Sequence, residues 1–231
     1  MGSTSAPKLR FQEAQRAQVS MLAPLEKRTL IWLANRMPSW VNSDHLTLLG
    51  LASLVGAGCS YWYSSTNRTL GLLLVIACLV ANWFGDSLDG TLARVRNRQR
   101  PRYGFYVDHI VDMFGTLFLL GGLGLSGWMS LSVSVALVVV YFMLSIEVYL
   151  ATHTIGTFHL SFWKFSPTEL RILLCVGNLA LLQFGPWGVI NGRRFLLFDI
   201  GGIAGLAGMT AMLLTAVYRH TRRLYDEERL P

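Results

Sequence analysis

The stretch Gly85-Asp86-Ser87-Leu88-Asp89-Gly90-Thr91-Leu92-Ala93-Arg94, followed nine residues later by Gly104 and then by Asp108-His109-Ile110-Val111-Asp112, decides how this chain is read. Its four aspartates lie at the adjoining ends of two long apolar runs, 69–90 and 105–126. Asp86 and Asp89 stand three apart and Asp108 and Asp112 four apart, so each pair occupies one face of a helix. A short loop joins the two runs, which makes them antiparallel neighbours whose acidic faces can meet. Four unpaired negative charges at the end of a membrane bundle would be strongly destabilising, so cationic partners are required. Oxygen-only donors at this density suit Mg2+ or Mn2+ rather than zinc. Two such ions, sharing carboxylates, would balance four charges. The competing reading pairs the aspartates with the arginines of the loop, Arg94, Arg96, Arg98, Arg100 and Arg102. That reading leaves unexplained the helical spacing of both pairs and the adjacent Gly90 and Gly104, which let a ligand approach the backbone closely.

The rest of the chain has the composition of a membrane protein. Of 231 residues, 52% are hydrophobic and only 14% charged, and mean hydropathy is +0.43. Soluble domains carry about a quarter of their residues charged, so this chain lacks the polar surface for a soluble fold and the composition of a disordered one. The net charge of +7 does not mark a nucleic-acid binder, because the basic residues lie between apolar runs. Six such runs are near the ~20 residues that cross a bilayer as a helix: 44–64, 69–90, 105–126, 128–152, 169–190 and 199–218. The predicted fold is all-α, a six-span bundle (43–218) between an amphipathic N-terminal segment (1–42) and a basic tail (219–231). Gly124, Ser126 and Gly127 set a tight turn between the third and fourth runs.

Orientation follows from the basic residues. Only Arg68, Arg193 and Arg194 fall on one side of this plan, and every other Lys and Arg on the other. The positive-inside rule places both termini, and with them the aspartates, at the cytoplasmic face. Residues 1–20 hold no continuous apolar core before a cleavage site, so no signal peptide is expected. Residues 8–37 intersperse Leu9, Phe11, Val19, Leu22, Leu25, Leu30, Ile31 and Leu33 with basic positions, as in a helix lying in the interface. Trp32, Trp40, Trp62, Trp128, Trp163 and Trp187 fall near the predicted interfaces. Cys59, Cys78 and Cys175 are isolated in apolar stretches and imply neither disulfides nor a metal site.

The pattern Asp86-x2-Asp89-Gly90-x2-Ala93-Arg94-x9-Gly104-x3-Asp108-x3-Asp112 resembles the signature of the class I CDP-alcohol phosphotransferase (phosphatidyltransferase) family at all eight defining positions. Asn42-x4-Thr47-x2-Gly50 is similar to a weaker pattern of that family. The resemblance implies a six-helix bundle with a juxtamembrane N-terminal helix, usually dimeric, which moves a substituted phosphate from a CDP-linked donor to an alcohol and releases CMP. It implies Asp86, Asp89 and Asp108 as ligands of two Mg2+ or Mn2+ ions, with Asp112 sharing the second and acting as general base. It also implies that Gly90, Ala93 and Gly104 keep a nucleotide pocket open and that Arg94 addresses the phosphates, with Asn42 and Thr47 joining the binding set. At least one substrate is a lipid, so the membrane itself is a partner, and nucleic acid is not.

The chemistry fits independently, since phosphoryl transfer depends on positioning and charge neutralisation, and no Ser or Cys nucleophile with a paired base is evident. The donor divides two readings. Chain length is closer to that of bacterial CDP-diacylglycerol users. His109, directly after Asp108, and the Pro167-x-Glu169 element instead resemble the choline and ethanolamine phosphotransferase branch, where both would be catalytic. As structural readings, His109 would be an interfacial His with a backbone partner and Glu169 a first-turn acid favoured by the helix dipole. Glu147, inside the fourth run, would reach the acceptor pocket or a basic partner such as Lys164, and Asp199 would cap the sixth run. The arginines of 94–102 would serve orientation and anionic headgroups. An intramembrane prenyltransferase would need more spans and a second Asp-rich motif. A small cation transporter would need acids spread along a path rather than grouped on one hairpin.

Overall fold

The structure, a computed structural model, describes residues 23–155, 167–190 and 193–229. Seven helices and one hairpin follow in chain order: α1 (Ala23–Arg36), α2 (Ser43–Ser64), α3 (Arg68–Val95), α4 (Pro101–Leu125), α5 (Leu131–Ile155), α6 (Pro167–Phe184), β1 (Trp187–Ile190), β2 (Arg193–Leu196) and α7 (Leu197–Glu227). Local sequence fixes most of the ends. Asn42 forms a capping box with His45, its Oδ1 accepting from the His45 N–H at 3.0 Å while its own N–H faces His45 Nδ1. Asn67 caps α3 through the Leu70 N–H at 3.1 Å. At the other end of α3, Asn97 takes a positive φ of 53°. The Arg98 N–H then reaches the Ala93 carbonyl at 2.9 Å and the Asn97 N–H the Arg94 carbonyl at 3.1 Å. This is the Schellman closure of a helix, with Asn tolerating the left-handed residue. Pro101 then opens α4 at its first position, and Gly127, at φ +79°, makes the turn before α5.

Helix α2 is the centre of the bundle, packed along both α3 and α4. Two contacts set how close it comes. A Cβ on Gly85 would stand 2.6 Å from the Leu46 carbonyl oxygen, and one on Gly122 only 2.1 Å from that of Gly58. These backbones touch, as small residues permit in membrane bundles. Around them Leu54, Ala57, Tyr61, Leu72, Val75, Leu79, Leu119 and Leu123 form the buried core, closed by Leu174, Leu181 and Phe198 from α6 and α7. A second cluster seats α1, where Leu30 and Ala34 pack on Leu88 and Leu92 of α3. The outer faces expose large apolar side chains such as Leu48, Phe114, Val139, Leu173 and Leu214, the surface of a protein whose solvent is lipid.

Five of the described helices, α2 to α5 and α7, are long and apolar enough to cross a membrane, the architecture of an integral multi-pass protein. The fifth apolar run differs from its expected course. It is helical only from Pro167 to Phe184, and α6 carries Glu169, Arg171, Asn178 and Gln183. Gly185, at φ +87°, stops the helix, and Trp187–Ile190 pairs antiparallel with Arg193–Leu196. The span 169–190 is thus a shorter helix followed by a strand, and the all-α expectation gains a hairpin. Helix α7 runs past 218 as one piece to Glu227.

Two polar residues, Asp199 and Arg96, do other work than expected, and Glu147 finds a basic partner as expected, on a different helix. Asp199 accepts from the backbone N–H of Ser130 at 2.7 Å and from its hydroxyl at 2.5 Å, so it caps the start of α5 rather than its own helix. Arg96 does not face headgroups: it donates to the carbonyls of Met37 at 2.8 Å, Pro38 at 2.9 Å and Val41, clamping the α1–α2 joint. Glu147 on α5 meets His220 of α7 at 2.5 Å. Lys164, the basic partner expected from the sequence, lies outside the described residues, as do Trp163 and the N-terminal segment before α1.

Candidate active site

The last turns of α3 and the first turns of α4 place the motif at one end of the bundle. Asp86, Asp108 and Asp112 each offer a carboxylate oxygen, all within 4.8 Å of one another, at partly buried positions. This is the convergence the i,i+3 and i,i+4 spacings predicted, for three of the four acids. Three oxygen donors without sulfur or nitrogen are the chemistry of a hard divalent cation, and the residues present fit Mg2+ or Mn2+.

Asp89 stands outside that trio. Thr47 Oγ1 donates to its Oδ2 at 2.6 Å, and the Gly90 N–H addresses its Oδ1. Ser43, one turn before Thr47 on α2, donates to the Asp89 carbonyl at 2.8 Å. Asp89 is nevertheless close enough for the charges of Asp86 and Asp108 to act on it, so it flanks the trio. Thr47 thus has a place at the site, through Asp89, while the Asn42 side chain is engaged in capping α2.

The loop arginines do not take Asp86. Arg94 Nη2 donates to Thr91 Oγ1 at 3.1 Å, Arg96 clamps α1, and Arg100 pairs with Asp44. The cation on Asp86 comes from α6: Arg171 Nη2 donates to Asp86 Oδ2 at 2.5 Å and Arg171 Nε to Asn82 Oδ1 at 2.7 Å. Asn82, 3% exposed, donates in turn to the Gly50 carbonyl at 3.0 Å. In the sequence Arg171 is one of the basic residues that set orientation, and nothing adjacent to Asn82 marks it as a site residue. A lone Asn in the run 69–84 was the available signal, because a polar group at membrane depth needs partners.

Gly90 and Gly104 have space beside them. Among the described residues, a Cβ on Gly90 would meet only the tip of Arg94, at 3.5 Å, and one on Gly104 nothing within 4 Å. No packing contact among the described residues demands glycine at 104, inside a helix where Gly costs about 1 kcal/mol relative to Ala. Ala93, between them, gives its carbonyl to the closure of α3.

His109 Nδ1 lies 2.6 Å from the Phe105 carbonyl oxygen. A carbonyl only accepts, so Nδ1 carries the hydrogen. The ring packs 4.1 Å from Phe105 and edge-on to Tyr149 of α5 at 5.2 Å. Glu169 lies in the first turn of α6. Its neighbour Thr168 donates to Glu26 Oε1 of α1 at 3.1 Å, and the same oxygen accepts from Trp83 Nε1 at 3.0 Å. The start of α6 is therefore stitched to α1 and α3 beside the acids. Against models of known families, residues 40–217 match the one described as CDP-alcohol phosphatidyltransferase. The match takes in every helix that carries a site aspartate.

Proposed function

The chain belongs to the CDP-alcohol phosphatidyltransferase family, a family of membrane transferases of substituted phosphate groups in phospholipid synthesis, and from this we propose that it transfers a phosphatidyl group from CDP-diacylglycerol to an alcohol hydroxyl, releasing CMP. The observation that carries the reading is the trio Asp86, Asp108 and Asp112, built from facing ends of α3 and α4. These residues, with Asp89 beside them, would hold two Mg2+ or Mn2+ ions. Bound there, the ions would neutralise the donor's diphosphate and acidify the acceptor hydroxyl.

The chain's own groups do the rest. Asp112 accepts the hydroxyl proton as the acceptor oxygen attacks the donor phosphorus. The phosphorus–oxygen bond to CMP breaks, CMP leaves with the electron pair, and Asp112 returns its proton to solvent. Arg94 faces the phosphates, and the space beside Gly90 and Gly104 takes the nucleotide. Both termini are cytoplasmic, α6 makes a sixth crossing, and the enzyme works as a homodimer.

A second reading within the family makes the chain a CDP-choline or CDP-ethanolamine:diacylglycerol phosphotransferase. It is favoured by His109, which directly follows Asp108 and is held by its Nδ1 contact with the Phe105 carbonyl. In that reading His109 and Glu169 assist the base. The transporter and prenyltransferase readings give way to the family. The test is CMP release by the purified protein in nanodiscs, with Mg2+ or Mn2+. One arm supplies CDP-diacylglycerol and a panel of alcohols, the other CDP-choline or CDP-ethanolamine with diacylglycerol. CMP in the first arm alone is expected. CMP in the second arm alone establishes the other reading, and none in either overturns both.

A further inference from the structure

We propose that Arg171 is the resident counter-cation of the metal site, held on Asp86 when no ion is bound, and that its charge makes the ions bind well only in company with a diphosphate. The inference rests on the metal-and-nucleotide reading above and assigns that site a control which the motif does not contain.

The geometry is specific to arginine. Nε and Nη2 form one edge of a planar guanidinium and donate in parallel. They meet Asn82 Oδ1 at 2.7 Å and Asp86 Oδ2 at 2.5 Å. Asn82 and Asp86 stand four apart on α3, one above the other on a helix face, so the fork spans one turn. Asn82 is buried and pinned to the Gly50 carbonyl. The guanidinium is therefore anchored by a neutral group as well as by the acid, and stays beside the site even when Asp86 is drawn elsewhere. Its side chain is 14% exposed and that of Asp86 27%, which limits screening by water.

The charges set the direction of the effect. Without ions, the carboxylates crowd the ends of α3 and α4, and Arg171 offsets the charge of Asp86. A divalent cation arriving alone meets a positive charge already on Asp86 and must bind against it. A donor diphosphate reverses the balance, because its negative charge is attracted by Arg171 and by the ions together. Removing the guanidinium charge should therefore act with opposite sign on the two ligands. A residue that merely orients Asp86 would weaken ion binding when lost. One that merely packs α6 on α3 would lower stability and shift neither affinity selectively. At these exposures the Coulomb effect of a unit charge on a divalent ion is at least as large as the loss of an orienting bond, so repulsion prevails.

The experiment is Mn2+ binding, by electron paramagnetic resonance, to the full-length protein in nanodiscs, and CDP binding at saturating Mn2+. Arg171→Gln should bind Mn2+ alone more tightly, on the order of tenfold, and CDP more weakly by a similar factor. Arg171→Lys, which restores the charge without the fork, should bring both affinities back toward the wild-type values. Arg171→Met, apolar and of similar length, replaces the Gln variant if that does not fold. Weaker Mn2+ binding by the charge-lacking variant, or unchanged affinities, overturns the inference while leaving the enzyme reading intact. Wild-type protein that takes up neither Mn2+ nor CDP overturns the enzyme reading, and this one with it.

Discussion

Thr47 reaches from α2 to donate to Asp89 Oδ2 at 2.6 Å, across the crossing where Gly85 lies against Leu46 and Gly50. Its hydroxyl also lies 3.0 Å from the Ser43 carbonyl. A hydroxyl has one hydrogen, and the shorter distance assigns it to Asp89. Helix α2 supplies no aspartate to the motif, yet it sets which way one of the four points. Thr47→Val removes the donor and keeps the shape. It should weaken Mn2+ and CDP binding by roughly tenfold, whereas Thr47→Ser should retain most of both. Titration of each ligand into the purified variants checks this, and a Val variant equal to wild type would show that Asp89 needs no orienting.

Asp112 and Asp89 should separate in their roles. Asp112→Asn keeps an oxygen donor in the trio but has no basic carboxylate to take the acceptor proton. Turnover should be abolished while nucleotide binding is largely kept. Asp89→Asn should weaken metal and nucleotide binding as well as turnover. Single-turnover CMP release beside CDP titration distinguishes them, and near-normal activity in Asp112→Asn would rule out its assignment as the base.

How much of this was legible in the sequence depended on how local each feature is. The meeting of Asp86 with Asp108 and Asp112 follows from helical spacing and a short loop, both written in contiguous residues. The turn at Gly127 is equally local. Asp89 leaving the trio is not local, because it depends on Thr47 arriving through the close α2–α3 crossing. Arg171 is farther still, 85 residues from its acid, and only the isolated Asn82 hinted that α3 had a polar partner. Arg96 looked like one of a row of surface cations, since nothing local marks the three carbonyls it clamps. The hairpin did have a signal: Asn191-Gly192 between two apolar stretches is a strong short-range turn marker, and the length of the apolar run obscured it.

Two glycines should respond in opposite ways to the same substitution. A Cβ on Gly122 would stand 2.1 Å from the Gly58 carbonyl oxygen, and backbone there has no room to yield. Gly122→Ala should destabilise by about 1–3 kcal/mol or more through overpacking. Gly104 has nothing among the described residues within 4 Å of the same position. Gly104→Ala should be as stable as wild type or more so, by up to about 1 kcal/mol of helix propensity, yet bind CDP less tightly because the methyl fills space kept for the nucleotide. Thermal unfolding in detergent and CDP titration give the two readouts. A Gly104→Ala variant with undiminished CDP affinity would place the nucleotide elsewhere.

Glu147 and His220 join α5 to α7 at 2.5 Å, with side chains 12% and 28% exposed. Removing either partner leaves the other polar group largely buried without its mate, at a cost of about 1–3 kcal/mol. Replacing both with leucine removes the demand for a partner and suits a membrane helix. Glu147→Leu and His220→Leu should therefore each lower stability, and the double variant should recover most of the loss, a non-additive cycle. Glu147→Gln, which keeps an oxygen acceptor for the imidazole, should cost less than Glu147→Leu. If Glu147 instead serves the acceptor alcohol, Glu147→Gln would raise the acceptor KM at unchanged stability, and the leucine pair would be additive. Unfolding midpoints for the four proteins, with KM for the Gln variant, decide between a bolt holding two helices together and a contact to substrate.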